Sequence, residues 1–207
     1  MLTQDSKSSL IRALVVLPLL CATAVAGPLA VDGSALPSWT GTMPFIATGL
    51  KVDVDYAVFA PGTYPDDLIT GDDPSDGREY LYAYQAFVRS DATVGLADFS
   101  VGLYADSNAG NAGTDWLHMQ TGGMEPFTSL LTPDDSVWWP YSEVAAGNYT
   151  TVMLFTSPYG PDWQPASVRN AGTQEQLTLP SPVPEPGAAW LGLLGVSVLA
   201  SRRRRGA

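Results

Sequence analysis

The chain has 207 residues, with 21 Asp and Glu against 10 Lys and Arg and a formal net charge of −11. So acidic a surface repels nucleic-acid phosphates and anionic lipid heads, which excludes nucleic-acid binding. One histidine and one cysteine leave no stock for a His-rich metal centre or a disulfide framework.

Residues 1–26 read as a secretory signal helix. Lys7 and Arg12 form a basic flank, Ala13 to Ala22 an apolar core, and Ala24-Val25-Ala26 a small-x-small cleavage site before Gly27. The one cysteine, Cys21, falls inside this segment. It is a poor lipoprotein acceptor, because Leu19 and Leu20 precede it where small residues are wanted. Residues 27–180 form the exported domain. Up to Val183 it holds four basic residues (Lys51, Arg78, Arg89, Arg169) against 19 acidic ones, a balance of −15. Its length suits one core, not two.

From Gly27 to Ala47 small and turn-forming residues dominate, with Trp39 and Phe45 as the first core anchors. In LKVDVDYAVF, Leu50 to Phe59, apolar residues alternate with Lys51, Asp53, Asp55 and Ala57, the period of a half-buried strand. Ala60 to Gly77 is a turn-rich acidic loop. EYLYAYQAFVR, Glu79 to Arg89, is apolar on both faces, which suits a central strand. Further strands are expected at Val94 to Leu96, Phe99 to Tyr104, Trp116 to Met119, Ser136 to Tyr141, Tyr149 to Thr156 and Gln176 to Leu179, with Ala105 to Asp115 as a small-residue loop. Short strands at intervals of about ten residues, with no helical periodicity before residue 187, predict an all-β, antiparallel β-sandwich of jelly-roll or Ig-like type.

Residues 181–186 read as a proline-rich, extended spacer that holds the domain off the membrane. Pro184-Glu185-Pro186 is followed by a short hydrophobic helix at 187–201 and a basic tail at 202–207 with Arg202, Arg203, Arg204 and Arg205. Fifteen helical residues reach about 22 Å, short of the roughly 30 Å hydrocarbon core. Four arginines stay on the cytoplasmic side, which leaves the preceding chain outside. In these three blocks the sequence resembles the PEP-CTERM sorting signal of Gram-negative bacteria. The resemblance implies a transient inner-membrane anchor, an exosortase partner that cuts near the triplet, release to the cell surface or extracellular matrix, and an exopolysaccharide-producing host. An ordinary tail anchor is the alternative, but it has no need of the triplet. The TVMLFTSPYGPDW segment, with Ala166-x-Val168 and the prolines after it, resembles the close of small all-β domains that precede this signal, and implies architecture without activity.

Chemistry is sparse upstream. A triad would have to be built on His118, yet no Gly-x-Ser-x-Gly elbow exists. Asp66, Asp67, Asp72, Asp73 and Asp76 supply oxygen ligands for calcium, with Asp72, Asp73 and Asp76 the candidate set. An EF-hand counted from Asp72 fails, with Pro74 at its third position and Ala83 at its twelfth, so a solvated loop is the plainer reading. The carboxylate pairs Asp53/Asp55 and Asp134/Asp135 lack a cleft that would space them for glycoside hydrolysis. Adjacent Trp138 and Trp139 point to opposite faces of a strand, and the outward one, beside Tyr141 or Trp163, is a candidate sugar-stacking surface; core packing is the competing reading. The expected function is a non-enzymatic surface or matrix component without cofactor. A carbohydrate-binding module is the alternative, and a secreted hydrolase ranks third.

Overall fold

A computed structural model describes Leu29 and residues 34–64, 73–115, 123–170 and 172–184. The expected signal helix, the 187–201 helix, the arginine tail and the Trp116 to Met119 strand lie outside them.

Among the described residues ten strands are formed: β1 (Ala35–Ile46), β2 (Lys51–Phe59), β3 (Tyr80–Val88), β4 (Leu96–Gly102), β5 (Gly110–Asp115), β6 (Leu130–Thr132), β7 (Ser136–Val144), β8 (Val152–Ser157), β9 (Pro161–Asn170) and β10 (Thr173–Pro182). They make two five-stranded sheets, ordered β1-β2-β3-β8-β5 and β10-β9-β4-β7-β6. Every strand pair is antiparallel. One core joins the sheets. The first contributes Phe45, Val52, Val54, Tyr82, Tyr84, Met153 and Phe155; the second contributes Phe99, Val101, Val137, Trp139, Val168 and Leu179.

The period of two sorts β3 as expected. Tyr82, Tyr84, Ala86 and Val88 face the shared core, while Leu81 and Ala83 join a second cluster on the outer side of the first sheet. That cluster also holds Ala57, Phe59, Val152 and Leu154, capped by Tyr64 and Leu29. The start of the acidic loop therefore does packing work: Tyr64 sits edge-on to Phe59 at 5.0 Å. β2 is consequently covered on both faces, and Asp55, expected to face solvent, is buried.

Five strands differ from the expectation. Residues 35–46 and 110–115, read as irregular, are strands β1 and β5, and β6 and β9 also went unforeseen. The Gly27 to Ala47 stretch still supplies Phe45 to the core, with Trp39 packed against it. Finally, β10 does not stop at Leu179. It runs on to Pro182, with Pro180, Ser181 and Pro182 all buried, so Ser181 and Pro182, expected in the spacer, belong to the strand.

Candidate functional site

Two regions bear on function: the junction with the C-terminal triplet and the outer face of the second sheet. At the junction, β10 pairs residue by residue with β9 as far as Pro182 against Pro161. The Val183 amide then donates to the Gly160 carbonyl at 3.1 Å. From the sides, the Ser181 hydroxyl donates to the Gly102 carbonyl at 2.7 Å, and the Tyr84 hydroxyl donates to the Pro180 carbonyl. The folded domain thus holds the backbone through Val183, and Pro184 comes directly after it. Glu185, Pro186 and Arg202 to Arg205 lie outside the described residues, as do Ala24, Ala26 and Gly27.

The aromatic candidates divide. Trp139 and Tyr141 share the inward face of β7 with Val137, and all three belong to the core. Trp139 is fully buried, its ring 5.7 Å from Phe99 and its Nε1 donating to the Gly113 carbonyl at 3.1 Å. Neither residue can stack on a ligand, which corrects that part of the expectation. The parity was available in the sequence, since Tyr141 is two residues from Trp139 and cannot share a face with Trp138. Trp163 remains 39% exposed but packs elsewhere, 5.4 Å from Trp39 and 5.7 Å from Tyr56.

Trp138 is half-buried on the outer face of β7. Its Nε1 donates to Asp98 Oδ1 at 2.8 Å, and Asp98 Oδ2 lies 3.8 Å from Arg169 Nε. Beside them the Ser100 and Ser167 hydroxyls are hydrogen-bonded at 2.9 Å. With Thr132 and Ser136, the Trp138, Arg169, Ser100 and Ser167 side chains line a shallow depression of about 320 Å³. Asp98, Ser100, Ser167 and Arg169 were not singled out from sequence. The signal was the alternation itself: each lies next to a core residue, Phe99 and Val101 on β4 or Ala166 and Val168 on β9.

The carboxylate candidates are occupied by structural contacts. Asp53 receives Arg89 through two bonds of 2.8 and 2.6 Å. Asp55 accepts the Thr42 hydroxyl at 2.5 Å, and burial, opposed by that bond and reinforced by Asp53, pushes its carboxyl above the ordinary range. Asp134 accepts the Asp106 amide at 2.6 Å, and Asp135 accepts the Ser136 hydroxyl at 3.0 Å. Asp73 closes a turn, taking both the amide and hydroxyl of Ser75. Asp76 is exposed at positive φ, while Asp66, Asp67, Asp72 and His118 lie outside the described residues. Among the described residues no three His, Cys, Asp or Glu side chains are gathered to hold a metal ion.

Residues 182–205 match the family model of the PEP-CTERM protein-sorting motif. No curated protein and no solved structure matches the chain. The match covers Pro184-Glu185-Pro186, the apolar run and all four arginines, so the segment next to β10 is a sorting signal of the kind that exosortases process. It implies export and a transient stay at the membrane on the way to the cell surface.

Proposed function

We propose that the exported domain is a non-enzymatic component of the cell surface or extracellular matrix, freed from its membrane tail by exosortase cleavage next to Pro184. The observation that carries this reading is the sorting motif joined to β10 without an intervening linker. The described carboxylates support the non-enzymatic part, because Asp53, Asp55, Asp98 and Asp134 each hold a neighbour in place. The two-sheet arrangement is read as a β-sandwich of jelly-roll type: the chain alternates between sheets from β3 to β6 and again from β7 to β9. The sequential hairpins β1-β2 and β9-β10 widen the two sheets.

The test is mass spectrometry of the mature C-terminus, from cells with and without their exosortase. A terminus close to Pro184 that depends on the enzyme is the expected result. Mature protein that keeps Arg202 to Arg205 overturns the processing half of the proposal. The second reading, a carbohydrate-binding module, is favoured by the Trp138 depression.

A further inference from the structure

We infer that the outer face of the second sheet binds a neutral pyranose unit of a polysaccharide in the depression between Trp138 and Arg169. This deepens the surface-or-matrix reading, on which it rests, by naming what the domain would hold. A sugar ring offers an apolar C–H face and a rim of hydroxyls, so its site needs an aromatic wall with donors and acceptors around it. Trp138 supplies the wall, and its bond to Asp98 fixes the indole before any ligand arrives. Arg169 supplies the donor. Its Nε is buried and without a hydrogen-bond partner, because the nearest Asp98 oxygen, at 3.8 Å, is too far for one. That nitrogen is enclosed, so a ligand hydroxyl meets instead the rest of the guanidinium, on a side chain that is 43% exposed and lines the depression.

Ser100 and Ser167 bond to each other and still leave one hydroxyl proton and several lone pairs for a ligand. Thr132 and Ser136 add hydroxyls to the lining. Charge decides the sugar class. Asp98 already balances Arg169, and the exported part carries −15 overall, so a uronate or sulfated ring meets no net attraction. The depression is shallow and about 320 Å³, near the lower end of ligand sites. That suits one ring within a polymer running across the sheet more than an enclosed free sugar.

The experiment is affinity electrophoresis of the detergent-solubilised full chain in gels containing a soluble β-glucan, a mannan or a galactan. Wild type is expected to be retarded by at least one of them. Trp138→Ala weakens that retention about tenfold or more. Thr132→Trp, an exposed change on β6 that leaves the core untouched, blocks the depression with the same outcome. Trp163→Ala, in the separate aromatic cluster, retains binding. No retardation by any of the three polymers overturns the inference, and so does retention that survives both Trp138→Ala and Thr132→Trp. Tail removal followed separately in the native cells keeps the two ideas apart: normal processing with no retardation of the full chain sinks the site alone, while mature protein that retains the arginine tail sinks the sorting reading alone.

Discussion

Trp139 ties the sheets together twice. Its ring packs among Phe99, Tyr84 and Phe155, and its Nε1 reaches across from β7 to the Gly113 carbonyl on β5. Trp139→Ala therefore opens a cavity and orphans a carbonyl, with an expected loss of about 3–5 kcal/mol, read as a fall in chemical-denaturation midpoint. Asp55 gives a different prediction. Its carboxyl titrates above its ordinary value, chiefly through desolvation, so the folded state holds this proton more tightly than the unfolded chain. By linkage, Asp55's contribution falls as pH rises from the ordinary carboxylate value through the raised one. Asp91 runs the other way, lowered by its bond to Lys51, so its contribution is lost on acidification. Comparing wild type with Asp55→Asn cancels that second effect. The variant is expected to match or exceed wild type in melting temperature at pH 7 and to lose the advantage towards pH 3. A stability difference that stays constant across that range contradicts the assignment.

Strands were legible where burial imposes a period of two. β4 joins into one strand, Leu96–Gly102, the segments expected at Val94 to Leu96 and Phe99 to Tyr104; β2, β3, β7 and β8 each carry alternating core residues, and each was anticipated within a few positions. β1, β5 and β6 were not, because they are sheet edges. An edge strand is held by hydrogen bonds along one side, so Pro37 and Pro44 in β1, or the small residues of β5, do not prevent it from forming. β9 was hidden by Pro165, which lies just before the stretch paired with β4, at Ala166 to Arg169. The outer-face site was obscured for a related reason: its polar residues are scattered over β4, β6, β7 and β9, and only strand order brings them together. The β1–β2 connection offers a test at this scale. Gly49 sits at φ 81° in the turn closed by the Ala47 amide on the Leu50 carbonyl, and a Cβ there would stand 2.7 Å from Thr93 Oγ1. Gly49→Ala is expected to cost about 1–3 kcal/mol, seen as a lowered thermal midpoint. An unchanged midpoint would mean the turn re-forms in another geometry.

At the scale of the whole molecule, the sorting signal and the domain are mechanically coupled. A cleaving enzyme that reads an extended segment needs backbone groups free of other partners, yet β10 is bonded to β9 through Pro182, and Val183 to Gly160. The first residue beyond that hold is Pro184, the first of the triplet. Recognition that extends upstream of the triplet must therefore peel β10 from β9 and release buried Leu179 and Ser181, whereas recognition from Pro184 onward need not. The free C-terminus of the mature protein is accordingly expected at or beyond Pro184, since a cut further upstream would remove part of a packed strand. A six-residue Gly-Ser insertion between Val183 and Pro184 separates the alternatives. If docking against the folded edge limits access, pulse-chase labelling will show tail removal accelerated severalfold, with the domain's melting temperature unchanged. If removal proceeds at the wild-type rate, the enzyme reads only the triplet and the residues C-terminal to it, and the close junction between fold and signal has no bearing on processing.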